Sequence, residues 1–301
     1  MERVDIKVGF ACNNRCLFCV QGDKRHEHPA RELGQIREDL LEGLRRGAQG
    51  LVVTGGEPTV HAHVLEVIRL ARELGYTSVQ IQSNGRRFYY EKFTKAAISA
   101  GATEFSPALH GSTAALHDGL TRAPGSYRQT LEGIRTLSRL GQPVITNSVI
   151  TSSNYKDLPA LAQLLVDSGV QQFQLAFVHI LGTAQENQDW LVPRKAEIMP
   201  YVREALDIGA KAGVRCMTEA IPFCLMQGYE GFVAEQIIPE TLIYDADNTI
   251  DDYGAYRRDH GKLKREECRS CRWDAQCEGP WREYPELFGW DEFVPVPKIE
   301  A

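Results

Sequence analysis

Strand-like and helix-like stretches alternate six times along the first two-thirds of the chain. No other property of the sequence restricts its fold as much. Apolar and β-branched runs at 4–10, 51–53, 78–82, 103–109, 144–149 and 172–178 predict strands. Stretches at 33–46, 63–74, 91–100, 127–140, 158–167 and 194–212 carry apolar residues at helical spacing. Leu40, Leu41 and Leu44 mark one such face, and Leu161, Leu164 and Leu165 another. Gly47, Gly75, Gly101, Gly141, Gly169 and Gly213 stand where these helices should stop. Six βα units in series imply an α/β fold with parallel strands and helices outside them. Periodicity alone leaves two windings open, an open sheet and a partial (β/α)6 barrel.

The chemically distinctive residues follow the predicted strands. Cys12, Cys16 and Cys19 follow the first, Gly55, Gly56 and Glu57 the second, Ser83 and Asn84 the third, and His110 the fourth. These are C-terminal strand ends, the face where α/β folds build their sites. The cysteines lie in GFACNNRCLFCV at 9–20, a C-x3-C-x2-C pattern. Three thiolates so close together suit an iron–sulfur cluster or zinc. A closed site normally takes four protein ligands, so three leave one metal position open. A zinc site completed by His26 or His28 is the alternative reading. Phe18 precedes the third cysteine and is placed to lie against whatever fills the open position.

The chain of 301 residues is 43% hydrophobic and 25% charged, an ordinary globular composition. A net charge of −6 argues against nucleic acid as a partner. No apolar run reaches the ~20 residues that span a bilayer, and no signal-peptide core follows Met1, so the expected location is cytoplasmic. In a reducing compartment, clustered cysteines read as metal ligands before disulfides. The eight fall into two groups, since residues 20–215 contain none.

The C-x3-C-x2-C motif, its aromatic before the last cysteine and the Gly-Gly-Glu-Pro after the second strand together resemble the radical SAM superfamily. The likeness covers roughly the first 215 residues. It implies a partial (β/α)6 barrel over 1–214, whose [4Fe–4S] cluster on Cys12, Cys16 and Cys19 binds S-adenosylmethionine at the open iron. One electron, from a reductant such as flavodoxin or ferredoxin, then cleaves that molecule to methionine and a 5′-deoxyadenosyl radical, which takes a hydrogen atom from the substrate. By the same likeness, Gly55, Gly56 and Glu57 receive the methionine amino group, Ser83 and Asn84 contact the ribose or amino-acid part, and Arg122 lies near the carboxylate. An Arg pairs bidentately with a carboxylate; the plain alternative is an ion pair with Asp118. Many relatives carry a serine where Ala108 stands.

Residues 215–301 change character, with little helical patterning and the second cysteine group. Cys268-x2-Cys271-x5-Cys277 resembles the superfamily's C-terminal auxiliary-cluster module in its short twitch form, related to SPASM. That likeness implies one auxiliary [4Fe–4S] cluster, two in all; its fourth ligand should come from upstream, with Cys224 in its turn-like segment the choice and Cys216 the other candidate. Four cysteines with a C-x2-C core also suit zinc. Trp273, Trp281, Tyr284 and Trp290 are expected to pack this module. Cys216 lies in a strand-like run in which Val214, Cys216 and Thr218 share one face and Arg215, Met217 and Glu219 the other. Cys216 is either a core thiol or a hydrogen donor to a substrate radical. His110, His179 and Glu219 are candidates for substrate contact or proton movement, with hydrogen-bonded structural roles as the alternative. Asp245, Asp247, Asp251 and Asp252 read as a solvated loop more readily than as an attractor of cations.

The expected activity is oxidation of, or bond formation within, a small molecule or peptide. A redox-neutral epimerase using a thiol donor competes with it, as does a non-catalytic iron–sulfur or zinc protein. The first strand comes so early that a fused peptide-leader-binding domain is not expected, which favours a small molecule. Fold analogy alone does not choose a substrate.

Overall fold

The computed structural model describes residues 2–22, 24–246 and 248–298. Its first six strands are β1 (Arg3–Lys7), β2 (Gly50–Thr54), β3 (Ser78–Ser83), β4 (Glu104–Pro107), β5 (Ile145–Ile150) and β6 (Gln172–Phe177). Helices Leu33–Arg45, Val64–Leu74, Glu91–Ala100, Ser126–Arg139, Leu158–Asp167 and Lys195–Lys211 follow them in turn. The expected alternation is present, with ends shifted by a few residues. A further helix, Ala114–Thr121, lies where no helix was expected. The Thr113 hydroxyl caps its start, and the Asp118 carboxylate accepts from the Gly125, Ser126 and Tyr127 segment that opens the next helix.

Three later strands complete the sheets: β7 (Arg215–Glu219), β8 (Thr241–Tyr244) and β9 (Thr249–Ile250). One sheet has the order β4-β3-β2-β1-β8-β9 and the other β5-β6-β7. Parallel bridges Phe105–Val144 and Ala108–Asn147 join them at β4 and β5. All pairings are parallel except the short β8–β9 ladder. The expected boundary at 214 falls just before β7. β7 pairs with β6 from Gln172–Arg215 to Ala176–Glu219, and β8 pairs with β1, so the barrel sheet continues into the C-terminal region.

Arg3 on β1 decides between an open sheet and a barrel. Its guanidinium is electrostatically coupled to Glu104 on β4 and to Glu219 on β7. In a flat sheet, with strands about 4.8 Å apart, β1 and β7 would lie roughly 29 Å from each other. The sheet curls so that these side chains meet inside. Val4, Ile6, Val53, Val79 and Ile81 point outward and are fully buried under the helices. The lumen is polar instead. Lys7 bonds Asp5 (3.0 Å) and Thr54 (3.0 Å), Gln80 bonds Glu104 (3.0 Å), and Gln174 bonds Glu219 (2.5 Å).

Residues 220–298 form short turns and helices with an aromatic core. Phe223 stacks on Trp273 at 5.0 Å, and Tyr284 packs on Phe288 and Phe293. Tyr284 also accepts the Lys195 amide at 2.7 Å, which docks this region on the barrel. Asp245 pairs with Lys24 and Asp251 with Arg46, and Asp252 caps a short helix, as suits a solvated loop. Asp247 lies outside the described residues. Among the described residues no helix is long and apolar enough to cross a membrane.

Candidate active site

The loop carrying Cys12, Cys16 and Cys19 is held from three sides. The Arg15 and Leu17 amides donate to the carbonyls of Thr121 (2.8 Å) and Leu120 (3.0 Å). Thr183, just after β6, accepts the Cys19 amide at 2.8 Å and donates to the Cys16 carbonyl at 2.9 Å. Asn187 donates to the Leu17 carbonyl at 3.1 Å. A Cβ on Gly182 would stand 2.5 Å from the Cys19 carbonyl oxygen, so only glycine lets these segments meet. Arg86 reaches over from the β3 side to the Asn13 carbonyl and the Asn14 side chain (2.9 Å). Sequence reasoning missed Thr183, Asn187 and Arg86. The only signal was a Gly-Thr pair opening a helix after strand 6.

Burial, and for Cys16 then the neighbouring cysteines, raises the Cys12 and Cys16 thiols above their ordinary value. A strongly cationic centre held there would draw the protons off these two thiols. The donor set fits the iron of a [4Fe–4S] cluster.

Gly55 and Gly56 act differently from expectation. The Gly56 and Glu57 amides donate to the carbonyls of Gly9 (2.8 Å) and Ala11 (2.9 Å). A Cβ on Gly56 would lie 2.2 Å from the Phe10 carbonyl oxygen, and one on Gly55 2.2 Å from that of Gly9. The close approach these glycines permit is to the cysteine loop. The Glu57 carboxylate is buried and accepts from the Thr59 amide and hydroxyl, the Ser83 hydroxyl (2.8 Å) and the Asn84 amide (2.6 Å). Burial raises its pKa, and these four donors oppose the rise. Glu57 thus ties the loops after β2 and β3 together. Ser83 also accepts the Gly85 amide at 2.9 Å and so belongs to that tie. Asn84 extends from the same tie to the Asn13 side chain at 2.6 Å, against the cysteine loop.

Arg122 is exposed and ends its helix in the left-handed conformation, with φ 51°. It follows the Thr121 carbonyl that anchors Arg15, so it flanks the cysteine loop. Asp118 is occupied by Gly125, Ser126 and Tyr127, which removes the alternative ion pair. Phe18 packs edge-on against His110 at 4.6 Å, and His110 stacks on His117 at 5.6 Å. His110 Nδ1 accepts the Val149 amide at 3.2 Å, and its own amide donates to His117 Nδ1 at 3.1 Å. Burial holds the His110 pKa well below the histidine range and lowers that of His117 to about 4. Held by these contacts, His110 forms a fixed wall behind Phe18, in keeping with its reading as a hydrogen-bonded structural residue.

Cys216 has the surroundings of a core thiol. Its thiol is buried, donates to the Val214 carbonyl at 3.2 Å and packs against Phe173 and Gly209 of the helix Lys195–Lys211. It faces the helical layer, and the other face of β7 presents Glu219 to the lumen. Cys224, Cys268, Cys271 and Cys277 line one cavity with Phe223, Trp290 and Phe293. Burial, and then Cys277, Cys271 and Cys268, push the Cys224 thiol up to about 12. Cys271 and Cys277 sulfurs accept the Val296 and Gly279 amides at 3.3 and 3.4 Å. Soft thiols in an enclosed, amide-donating cavity suit a second metal centre.

Among proteins of known name, the chain is 26% identical to the AdoMet-dependent heme synthase of Methanosarcina barkeri over 180 residues, 59% of this chain and 51% of that one. It is 26% identical to a probable GTP 3′,8-cyclase of Saccharolobus solfataricus over 190 residues, 60% and 58% of the two chains. It thus spans little more than half the length of these relatives. Among solved structures, Streptococcus suis SuiB bound to S-adenosylmethionine superposes with a TM-score of 0.66 at 15% identity, covering 92% of this chain and 72% of that one. The structure of anSMEcpe with bound AdoMet superposes with a TM-score of 0.65 at 13% identity, covering 99% and 93%. At such identities these structures show the shared fold. The model of the Radical SAM superfamily matches residues 6–165. That match takes in more than half of the chain and the strands and loops around the three-cysteine motif, and it shows that the chain belongs to the radical SAM superfamily.

Proposed function

We propose that this chain is a two-cluster enzyme that oxidises, or forms a bond within, a small molecule or peptide. Cys12, Cys16 and Cys19 hold the [4Fe–4S] cluster that takes S-adenosylmethionine. Cys224, Cys268, Cys271 and Cys277 hold an auxiliary [4Fe–4S] cluster in a twitch-like module. When bound, the first cluster and S-adenosylmethionine supply one-electron chemistry that removes a hydrogen atom from a C–H bond. The protein's own part is positional. Thr183, Asn187 and Arg86 fix the cysteine loop, Glu57 locks the two neighbouring loops, and Phe18 with His110 walls the site from the core. Asn84 and Arg122, beside the loop, are the side chains assigned to the cofactor's polar groups, together with backbone carbonyls of Gly55 and Gly56. The polar lumen below binds and orients substrate.

The gathering of Cys224, Cys268, Cys271 and Cys277 around one cavity is the observation that carries this reading. The epimerase reading loses its thiol donor, since Cys216 packs away from the lumen. For substrate class, two structural neighbours favour peptides: SuiB was solved bound to its precursor peptide SuiA, and anSMEcpe bound to the Cp18Cys peptide. The named relatives act on other classes of molecule. A ferredoxin- or flavodoxin-type reductant and a cytoplasmic setting complete the proposal.

Anaerobic reconstitution with iron and sulfide, followed by dithionite and S-adenosylmethionine, tests it. The expected result is roughly eight irons per chain, 5′-deoxyadenosine, and a product lacking hydrogen or gaining a bond. Solvent deuterium at the product carbon without net oxidation would overturn the oxidative reading. No 5′-deoxyadenosine with any candidate substrate would overturn the enzyme reading.

A further inference from the structure

Where β7 meets the C-terminal module, five charged side chains are enclosed together. Arg257 grips Glu278 with two bonds, 2.6 and 2.7 Å, and Lys262 pairs with Glu235 at 3.2 Å. The four side chains are at most 7% exposed. The fifth, Glu219, is electrostatically coupled to all four. Its carboxyl group receives the Gln174 amide at 2.5 Å and, among the described residues, has no salt-bridge partner; burial, and then Glu235, raises its pKa. Surrounding protein encloses it, yet it keeps some accessible surface toward the lumen.

The inventory is uneven: three carboxylates face two cations. Adding Arg3, Lys7, Asp5 and Glu104 from deeper in the lumen brings two more of each sign and leaves the excess unchanged. Lys195 is near, but its ammonium is turned to the Ala220 carbonyl at 2.9 Å between Phe177 and Tyr284, and burial holds its pKa well below the lysine range. It does not balance the count.

Unused bonding capacity lies in the same place. Glu235 Oε1 takes both the Lys262 ammonium and the Ala220 amide, whereas Glu235 Oε2 is buried without a partner. His179 Nε2 is also unpartnered, on a ring stacked at 3.8 Å on Trp281. A buried acceptor left open is costly, and more so when it is charged. A single cation with several N–H donors reaching both Glu219 and Glu235 would relieve both groups.

We propose that Glu219 and Glu235 form a subsite for a primary ammonium group of the substrate, with His179 Nε2 at its edge. An ammonium carries three donors on a compact charge, which matches two carboxylates and an imidazole nitrogen better than a flat guanidinium does. β7 ends at Glu219, at the same end of the barrel as the cysteine loop, so the subsite anchors one end of the substrate within the catalytic mouth. The inference rests on the reading of that mouth as the substrate site, and it narrows the substrate class to amine-bearing molecules, including peptides that present a lysine-type side chain or a free amino terminus.

The test uses the reconstituted full chain and butylammonium as probe, against 1-butanol and butyrate at matched ionic strength. At roughly 10 mM, butylammonium should raise the melting temperature by about 2 °C while the other two do not. Glu219→Gln should abolish the response, Glu235→Gln should weaken it, and the exposed Glu38→Gln should keep it. No shift with butylammonium, an equal shift with butanol, a preference for butyrate, or an undiminished amine response in Glu219→Gln overturns the subsite. If Glu219→Gln fails to fold, Glu235→Gln decides. Binding is read without turnover, so the two readings fail separately. An amine response without 5′-deoxyadenosine sinks only the enzymatic reading, and 5′-deoxyadenosine without an amine response sinks only the subsite.

Discussion

The two cysteine sets are built on different kinds of support. The loop of Cys12, Cys16 and Cys19 is bonded to the ends of several barrel strands, through Gly9, Ala11, Thr121, Thr183 and Asn187. Those strands stand on a continuous apolar core beneath helices, which needs no metal to form. The cavity of Cys224, Cys268, Cys271 and Cys277 is walled by short turns, Phe223, Trp290 and Phe293. A region with so few regular elements has little core of its own, and on the proposed assignment four thiols around one centre would supply the missing cross-links. The same ligand chemistry would thus decorate a finished fold in one place and complete the fold in the other.

Cysteine removal breaks this contrast most sharply. Cys16→Ala should lower 5′-deoxyadenosine formation to background and remove about half of the iron, with unfolding unchanged by circular dichroism. Cys271→Ala should remove the other half and make residues 220–298 about tenfold more sensitive to protease, the effect of about 1.4 kcal/mol of local destabilisation. Equal protease sensitivity in both variants would erase the distinction.

Acid should act on the barrel side. The His117 pKa falls from about 6.5 unfolded to about 4 folded, because burial disfavours the imidazolium. The unfolded chain therefore binds more protons between these values. The stabilisation is complete above about pH 6.5 and is lost as pH falls through about 4, a change of about 3 kcal/mol. Urea unfolding of wild type and His117→Gln across that window should show the loss in the first and a flatter profile in the second.

Thr183→Val should loosen only the first set. It leaves the Cys19 amide without its acceptor, at a cost of about 1–2 kcal/mol. Iron release to a chelator should quicken about tenfold from that site alone, and Thr183→Ser should restore it. The smallest effect belongs to the cysteine outside both sets. Cys216→Ala should cost about 1 kcal/mol in urea unfolding and leave 5′-deoxyadenosine and product deuterium content unchanged.

The βα series was legible because each helix shows an apolar face and each strand an apolar run. Both cysteine sets were legible because ligand spacing is a local property. What escaped the sequence depends on distant or solitary partners. The run Thr241–Tyr244 is too short to announce that it pairs with β1, more than 200 residues earlier. Alternation put Cys216 and Glu219 on opposite faces of β7, but which face the helices cover is decided by Phe173 and Gly209. Thr183, Asn187 and Arg86 are single polar residues in loops, where no periodicity marks them. Glu57 and Ser83 were recognised as site residues, yet their bonds to each other depend on how close β2 and β3 end.

The pairing of β8 with β1 also sets a timetable. β1 is synthesised more than 200 residues ahead of its outer neighbour at 241–244. At about 5–20 residues per second, that edge waits roughly 10–50 s. For that interval the nascent barrel presents an unpaired parallel strand, the kind of edge that invites pairing with other chains. Chaperone cover in this window therefore matters more for this topology than for a barrel whose first strand is paired on both sides by its immediate successors.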